Sequence, residues 1–202
     1  AAGRPTHPLA SALLPLRGRR DVDPTLLHEM LVAADLDLAR MTYSTWQELD
    51  AYLFRSAGIA QTLIAALLAG ERGLAPAERE FARRLAAACR QAEMLFELDR
   101  DLAHGRLYAP TAALEAAGID PEAFVRDRRM ATASTFIAGW QERVRSELGS
   151  LPAVLANSPW CGAQRQGLVL AALNARWLET QSAASTTAGA PRPELGAFTR
   201  LW

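Results

Sequence analysis

Residues 77–104 carry the pattern that most restricts the fold, because apolar side chains recur there at helical spacing. The stripe advances in steps of three and four residues, and Leu85, Met94 and Leu98 are among its largest members. Such a stripe is typical of an amphipathic helix that packs against a core. No stretch of the chain alternates strictly between apolar and polar residues, so nothing in the sequence indicates a β-sheet. The sequence therefore predicts an all-α fold with the 77–104 helix at its centre.

Local signals predict the ends of other helices. One helix starts at Asp23–Pro24 and ends near Ala34, and a long one begins at the capping box formed by Thr45 and Glu48. Asp120–Pro121 is another helix start, and a helix over residues 131–148 ends before Pro152.

Three carboxylates follow one edge of this predicted helix. Glu93, Glu97 and Asp101 are four residues apart, so they lie above one another beside the apolar stripe. Carboxylates placed in this way can share a hard cation such as Mg²⁺. The alternative is a solvated helix edge on which Arg90 and Arg100 form ion pairs with these acids. The spacing by itself favours the solvated edge.

Charge and hydropathy exclude several classes of protein. The 202 residues hold 22 basic and 22 acidic side chains, which gives a formal net charge of zero. A balanced chain offers no electrostatic basis for binding nucleic acid. These residues show neither the basic start and apolar middle of a signal peptide nor an unbroken apolar run of about 18 residues. We therefore expect a cytoplasmic protein without a transmembrane segment, with peripheral membrane contact as an alternative. The length predicts one domain over residues 1–202, with a mobile linker at 182–193, where Ser, Thr, Ala, Gly and Pro dominate.

The segment from Arg90 to Pro110, RQAEMLFELDRDLAHGRLYAP, resembles the second aspartate-rich motif of the squalene/phytoene synthase family. That motif reads approximately Q-x-x-N-I-x-R-D-x-x-x-D, followed by a short spacer and G-R-x-Y-x-P. Alignment on the G-R-x-Y-x-P end places Glu97 and Asp101 on the two motif aspartates. It also places Arg90 on the motif glutamine and Glu93 on the asparagine, so two neutral positions are charged in this chain.

Two earlier segments resemble the same family. DLDLAR at 35–40, followed by a tyrosine, is similar to a D-L-x-x-x-R-Y-like connection whose acidic residue faces the central cavity, and Asp37 is the matching position. Helix capping with a local Asp–Arg pair explains this segment equally well. ELDAYLFRSAGIA at 48–60 is similar to E-L-x-x-Y-x-x-x-x-A-G, with Tyr52 and Gly58 as matches. Close helix–helix packing needs the same small residues, so that alternative also stays open.

The resemblance implies an isoprenoid-synthase-like helical bundle around a central apolar cavity. Family members join two isoprenoid diphosphates head to head, with Mg²⁺ held between two aspartate-rich helices. The His7–Pro8 segment is similar to an interior segment of the family, so we expect this chain to lack the amino-terminal part that carries the first motif. The site residues carried over by the resemblance are Tyr52, Arg106 and Tyr108 for catalysis, Arg40, Arg90 and Gly58 for substrate binding, and Asp37, Glu93, Glu97 and Asp101 for the metal.

Three functions stay open. The first is a catalytically silent family member that binds an isoprenoid diphosphate or another apolar lipid, or that serves as an assembly factor. The second is a Mg²⁺-dependent prenyl-diphosphate transferase whose first motif lies upstream. The third is a helical interaction domain outside the family. Because the chain has no second Asp-x-x-x-Asp, and because Arg90 replaces a neutral residue, we predict that this chain alone does not catalyse head-to-head prenyl transfer.

Overall fold

The computed structural model describes residues 6–8, 11, 24–39, 41–127, 130–155 and 161–184. Within these ranges every regular element is helical and none is a strand, which confirms the all-α prediction. A π-helical turn and a 3-10 turn interrupt the α-helices in the first half of the chain. In chain order the elements are α1 (Pro24–Leu38), α2 (Trp46–Leu53), the π-helical turn (Phe54–Gly58), α3 (Ile59–Ala69), the 3-10 turn (Gly70–Arg72), α4 (Pro76–Phe96), α5 (Leu98–Ala103), α6 (Thr111–Ala116), α7 (Pro121–Arg126), α8 (Ala131–Leu155) and α9 (Cys161–Ala184).

Helix α4 is the central element of the fold. It packs against α2, α3, α8, α9 and the π-helical turn. Leu85 and Met94 on α4, and Leu98 just beyond its end, are buried in the main core. The predicted central position and the predicted buried side of this segment are therefore both confirmed.

The start of α4 is fixed by a buried carboxylate. Glu78 is fully buried and accepts a hydrogen bond from the Ala75 backbone N–H at 2.8 Å, so it serves one of the amide groups that a helix start leaves unpaired. Arg72 donates to both oxygens of the same carboxylate, at 2.7 and 2.9 Å. These contacts hold the pKa of Glu78 below its usual value, with the Arg72 hydrogen bonds as the largest cause. The carboxylate is therefore ionised and paired, as a buried charge must be.

The sequence predicted one helix over residues 77–104, but the structure has two helices there, α4 and α5. Glu97 has φ −92° and ψ 6°, which ends α4, and α5 begins at the next residue. The chain direction is kept, because the Glu97 N–H bonds to Glu93 O at 2.8 Å and the Asp101 N–H to Glu97 O at 2.9 Å. The three acids thus lie along a helix with an irregular joint at its middle member.

The α2–α3 stretch begins at the predicted capping box, since Thr45 Oγ1 accepts a hydrogen bond from the Glu48 N–H at 3.2 Å. By length and composition, the continuous stretch Trp46–Arg72 would suffice to cross a membrane, with a mean hydropathy of 1.4 over 18 residues. In the fold, α3 and the π-helical turn pack against α4, and 39% of that window is buried. Core helices of water-soluble proteins pass the same test, so the expectation that the chain has no transmembrane segment is qualified rather than reversed.

Several helix ends differ from those predicted. Helix α1 continues through Asp37, whereas the sequence placed its end near Ala34 and a connection after it. Helix α8 runs through the exposed Pro152, although the sequence placed the end of this helix before that residue. Proline removes one backbone hydrogen-bond donor, and this loss is tolerated at a solvated face. Helix α9 continues through residues 182–184, the first part of the predicted linker, and the rest of that linker lies outside the described residues.

Candidate functional site

Two tyrosines share one carboxylate at the centre of the predicted site. The Tyr52 hydroxyl, on α2, lies 2.9 Å from both carboxylate oxygens of Asp37, and the Tyr108 hydroxyl donates to Asp37 Oδ1 at 2.8 Å. Asp37 stands one residue before the end of α1, and Tyr108 belongs to the G-R-x-Y-x-P end of the motif segment. Asp37 is therefore the acceptor that joins three separate segments. The alternative of a local Asp–Arg pair depends on Arg40, which lies outside the described residues.

A third tyrosine completes this cluster. The Tyr43 ring lies 5.2 Å from the Tyr52 ring and 6.4 Å from the Tyr108 ring, and the last two rings are 5.8 Å apart. Burial is the largest cause that raises the pKa of each of the three tyrosines. The next cause is Tyr52 for Tyr43 and Tyr108, and the charge of Asp37 for Tyr52 itself. Their hydroxyls are thus protonated donors at neutral pH. The sequence had named Tyr43 only as the end of a motif, because ring stacking between separate segments of the chain leaves no local pattern.

Arg90 lies between the tyrosine cluster and the acidic ladder. Its guanidinium pairs with Glu93 at 3.2 Å, and 24% of its side chain is exposed. Burial acts to lower the pKa of Arg90, but the Tyr52 phenol and the Glu93 carboxylate outweigh it and the pKa is raised. Arg90 is therefore a permanent cation at the position where the resembling motif has a neutral glutamine.

The three ladder carboxylates differ sharply in burial. The Glu93 side chain is 48% exposed and that of Glu97 27%, whereas Asp101 is 4% exposed. Glu97 pairs with Arg100 at 2.5 Å. Burial first, and the Glu97 charge second, raise the pKa of Asp101, and its Oδ2 atom is buried without a hydrogen-bond partner. The ladder thus passes from solvent at Glu93 to the interior at Asp101.

The remaining predicted residues have other surroundings. Arg106 is partly exposed, follows Gly105 (φ 72°), and its backbone N–H bonds to Asp101 O at 2.8 Å. A Cβ at Gly58 would lie 3.3 Å from Phe54 and 3.6 Å from Arg83, so this glycine allows a close approach to α4. That geometry agrees with the packing interpretation of Gly58. Arg40 lies outside the described residues.

Mg²⁺ is the metal that the resemblance implies, and the described residues do not fit it well. Nowhere in the described ranges do three His, Cys, Asp or Glu side chains come together to hold a metal ion. Glu93 and Glu97 are each paired through Oε2 with an arginine, and Asp101 Oδ2 is buried without a hydrogen-bond partner. An arginine a few ångström from a divalent cation would repel it by about 2–8 kcal/mol. Mg²⁺ binds through oxygens and favours a surplus of negative charge, which the described ladder lacks.

A cleft of about 660 Å³ lies elsewhere, between α4, α8 and the α2–π-turn segment. None of the nine predicted site residues that the structure describes lines it. Its charges balance and include the Arg84–Glu147 pair, at 2.7 Å, between α4 and α8. This balance gives no preference for an anionic or a cationic ligand. The charged residues of the cleft are Asp50, Glu80, Arg83, Arg84, Arg143 and Glu147.

Comparisons with known proteins agree with the resemblance. The chain is 31% identical over 137 residues to the bifunctional protein CrtB/UppS of Streptomyces coelicolor, covering 67% of this chain and 24% of that protein. It is 28% identical over 123 residues to the 15-cis-phytoene synthase of a Synechocystis species, covering 56% of this chain and 36% of that protein. The chain thus spans about a quarter to a third of the length of these curated relatives.

One solved structure and the sequence model of a protein family also align with this chain. The squalene synthase HpnC from Alicyclobacillus acidocaldarius aligns with a TM-score of 0.49 and 23% identity, over 78% of this chain and 61% of that one. The description of the squalene/phytoene synthase family matches residues 1–182. That match extends over every described helix except the last two residues of α9. The chain belongs to the squalene/phytoene synthase family.

Proposed function

We propose that this chain is a squalene/phytoene synthase-like protein of isoprenoid metabolism that binds an isoprenoid diphosphate or a similar apolar lipid without condensing two of them. Family membership supports the ligand class, because the relatives include a phytoene synthase. It also argues against the third open function, a helical interaction domain from outside the family.

One observation supports the proposal that the chain does not condense its ligand. Of the three ladder carboxylates, Glu93 and Glu97 are paired with Arg90 and Arg100. Among the described residues, no group of three His, Cys, Asp or Glu side chains is placed to hold a metal ion. Ionisation of an allylic diphosphate leaves a charged diphosphate that several metal ions would have to neutralise. A ladder with no surplus negative charge is poorly suited to collect those ions.

The test is to incubate the purified 202-residue chain with geranylgeranyl diphosphate and Mg²⁺, and to measure both ligand binding and diphosphate release. We expect saturable binding by calorimetry and release at the rate seen without protein. Release well above that rate, lost in Glu97→Ala and in Asp101→Ala, would overturn the proposal. Absence of binding would overturn the ligand class.

A second candidate is an active transferase whose first aspartate-rich motif is supplied by residues outside this chain. The uncommitted oxygen of the buried Asp101 favours it, since a metal brought by other carboxylates would find one ligand in place. The relatives are also much longer than this chain. Release that appears only when a longer reading frame is expressed would favour this candidate.

A further inference from the structure

We infer that arginines, and not divalent metal ions, neutralise the acidic ladder, and that Arg90 gives this site a metal-independent hold on a phosphate-type oxyanion. The inference rests on the proposed function, since it concerns how the same site recognises the diphosphate end of its ligand. The family resemblance implies that Mg²⁺ holds the diphosphate. The inference differs from this at Arg90, where the family motif has a neutral glutamine.

The charges around the ladder cancel within a short segment. Arg90 pairs with Glu93 at 3.2 Å, and Arg100 pairs with Glu97 at 2.5 Å. Arg90, Arg100 and Arg106 all act on the carboxyl of Asp101 and lower its pKa, against the larger effect of burial. Three cations thus face three carboxylates. A divalent ion entering this segment would have to displace or oppose each arginine.

Arg90 is the cation best placed to meet a ligand. Its side chain is about three-quarters buried, it interacts with Tyr52, and its charge acts on Asp101. The Tyr52 and Tyr108 hydroxyls donate hydrogen bonds to Asp37, so their protons are not available to a ligand. The guanidinium keeps five N–H donors in a plane, of which the Glu93 contact uses only part. Such a fork matches phosphate oxygens in geometry and in charge.

The exposed Glu93 carboxylate makes this hold adjustable. An i to i+3 pair on a half-exposed helix edge is weak, so an oxyanion can take the place of Glu93 at the guanidinium. The neutral glutamine of the resembling motif cannot do this, because it carries no charge. Arg90 thereby exchanges metal-mediated recognition for direct recognition.

The test is calorimetry with inorganic pyrophosphate, once in excess EDTA and once in Mg²⁺. We expect the wild-type chain to bind in EDTA and to gain nothing from Mg²⁺. Arg90→Gln should weaken binding in EDTA about tenfold or more, because a charge-assisted contact is lost, and Arg90→Lys should retain part of it. Arg165→Gln is the control, because Arg165 is an exposed arginine far from Arg90. Its neighbour Gln164 donates a hydrogen bond to Glu78 O near the start of α4, whereas Arg90 lies near the end of that helix.

Three results would overturn the inference. They are wild-type binding that requires Mg²⁺, equal binding by Arg90→Gln and wild type in EDTA, and a wild-type chain that does not bind pyrophosphate at all. Circular dichroism of each variant separates a loss of binding from a loss of helix. The release of diphosphate is measured in a separate experiment. A failure to bind pyrophosphate would therefore refute the role of Arg90, but it would not decide whether the chain condenses its ligand.

Discussion

The Tyr108 hydroxyl lies 2.8 Å from the carboxylate of Asp37, a residue 71 positions earlier in the chain. This one bond joins the end of α1 to the turn that closes the motif segment. Tyr52 donates to the same carboxylate from α2. All three segments that resemble the family therefore meet at one acceptor, and Asp37 is the residue on which their relative positions depend.

Asp37→Ala should lower the free energy of unfolding by about 2 kcal/mol. The substitution leaves two tyrosine hydroxyls without their acceptor, and hydrogen bonds to a charged group contribute about 1.5–3 kcal/mol each when buried, less where the group is partly exposed as here. Urea unfolding followed by circular dichroism gives this value. Asp35→Ala is the matched control, an exposed aspartate on the same helix, and should change stability by no more than about 0.5 kcal/mol. Equal effects of the two substitutions would contradict the role assigned to Asp37.

Asp101→Asn should stabilise the fold, and the gain should grow with pH. Burial raises the pKa of Asp101 above its usual value near 3.8, so the folded state holds this proton more tightly than the unfolded chain does. The stability of the wild type then falls as pH rises from the ordinary pKa through the raised one. Asparagine removes that titration.

Stability curves of wild type and Asp101→Asn from acid to neutral pH provide the measurement. The exposed Glu115 on α6 supplies a control, because Glu115→Gln should show no such divergence. A difference between Asp101→Asn and wild type that stays constant, or shrinks as pH rises, would refute the assigned cause.

Gly167→Ala should destabilise the protein by about 1–3 kcal/mol, because the added methyl group overpacks the core. A Cβ at this position would lie 2.4 Å from Leu85 Cδ2 and 2.5 Å from Gln61 Nε2, where α9 crosses α3 and α4. Gly149→Ala, in the middle of α8 with nothing within 4 Å of the new Cβ, should instead stabilise by about 0.5–1 kcal/mol. Thermal unfolding distinguishes the two signs. A stable Gly167→Ala variant would show that α9 is farther from α3 than described.

The sequence was sufficient for the architecture because apolar periodicity is a local signal. The stripe through Leu85 and Met94 determines which side of α4 faces the core, whatever surrounds it. The capping box at Thr45 and the Asp120–Pro121 start, where Asp120 accepts a hydrogen bond from the Ala123 N–H at 2.8 Å, are also local and were read correctly.

The site was only partly readable, because its contacts are not local. Nothing near Asp37 in the sequence indicates that its partners are Tyr52 and Tyr108. Helical spacing placed the three ladder acids on one edge, but it could not show that Asp101 is buried while Glu93 is exposed, since burial depends on which helices pack alongside. The ion pairs of Arg90 and Arg100, by contrast, are spaced three residues from their acids, and the sequence named them as the alternative to a metal site.

Manganese binding tests the central claim most directly, because Mn²⁺ takes the same oxygen ligands as Mg²⁺ and loses its free-ion electron paramagnetic resonance signal when bound. Titrated into the wild-type chain, Mn²⁺ should keep its full signal, since Arg90 and Arg100 occupy the carboxylates of Glu93 and Glu97. The Arg90→Gln/Arg100→Gln variant frees both acids and should remove signal in proportion to protein, whereas Arg165→Gln should behave as wild type. Stoichiometric binding of Mn²⁺ by the wild type, unchanged in the double variant, would contradict a ladder neutralised by its own arginines.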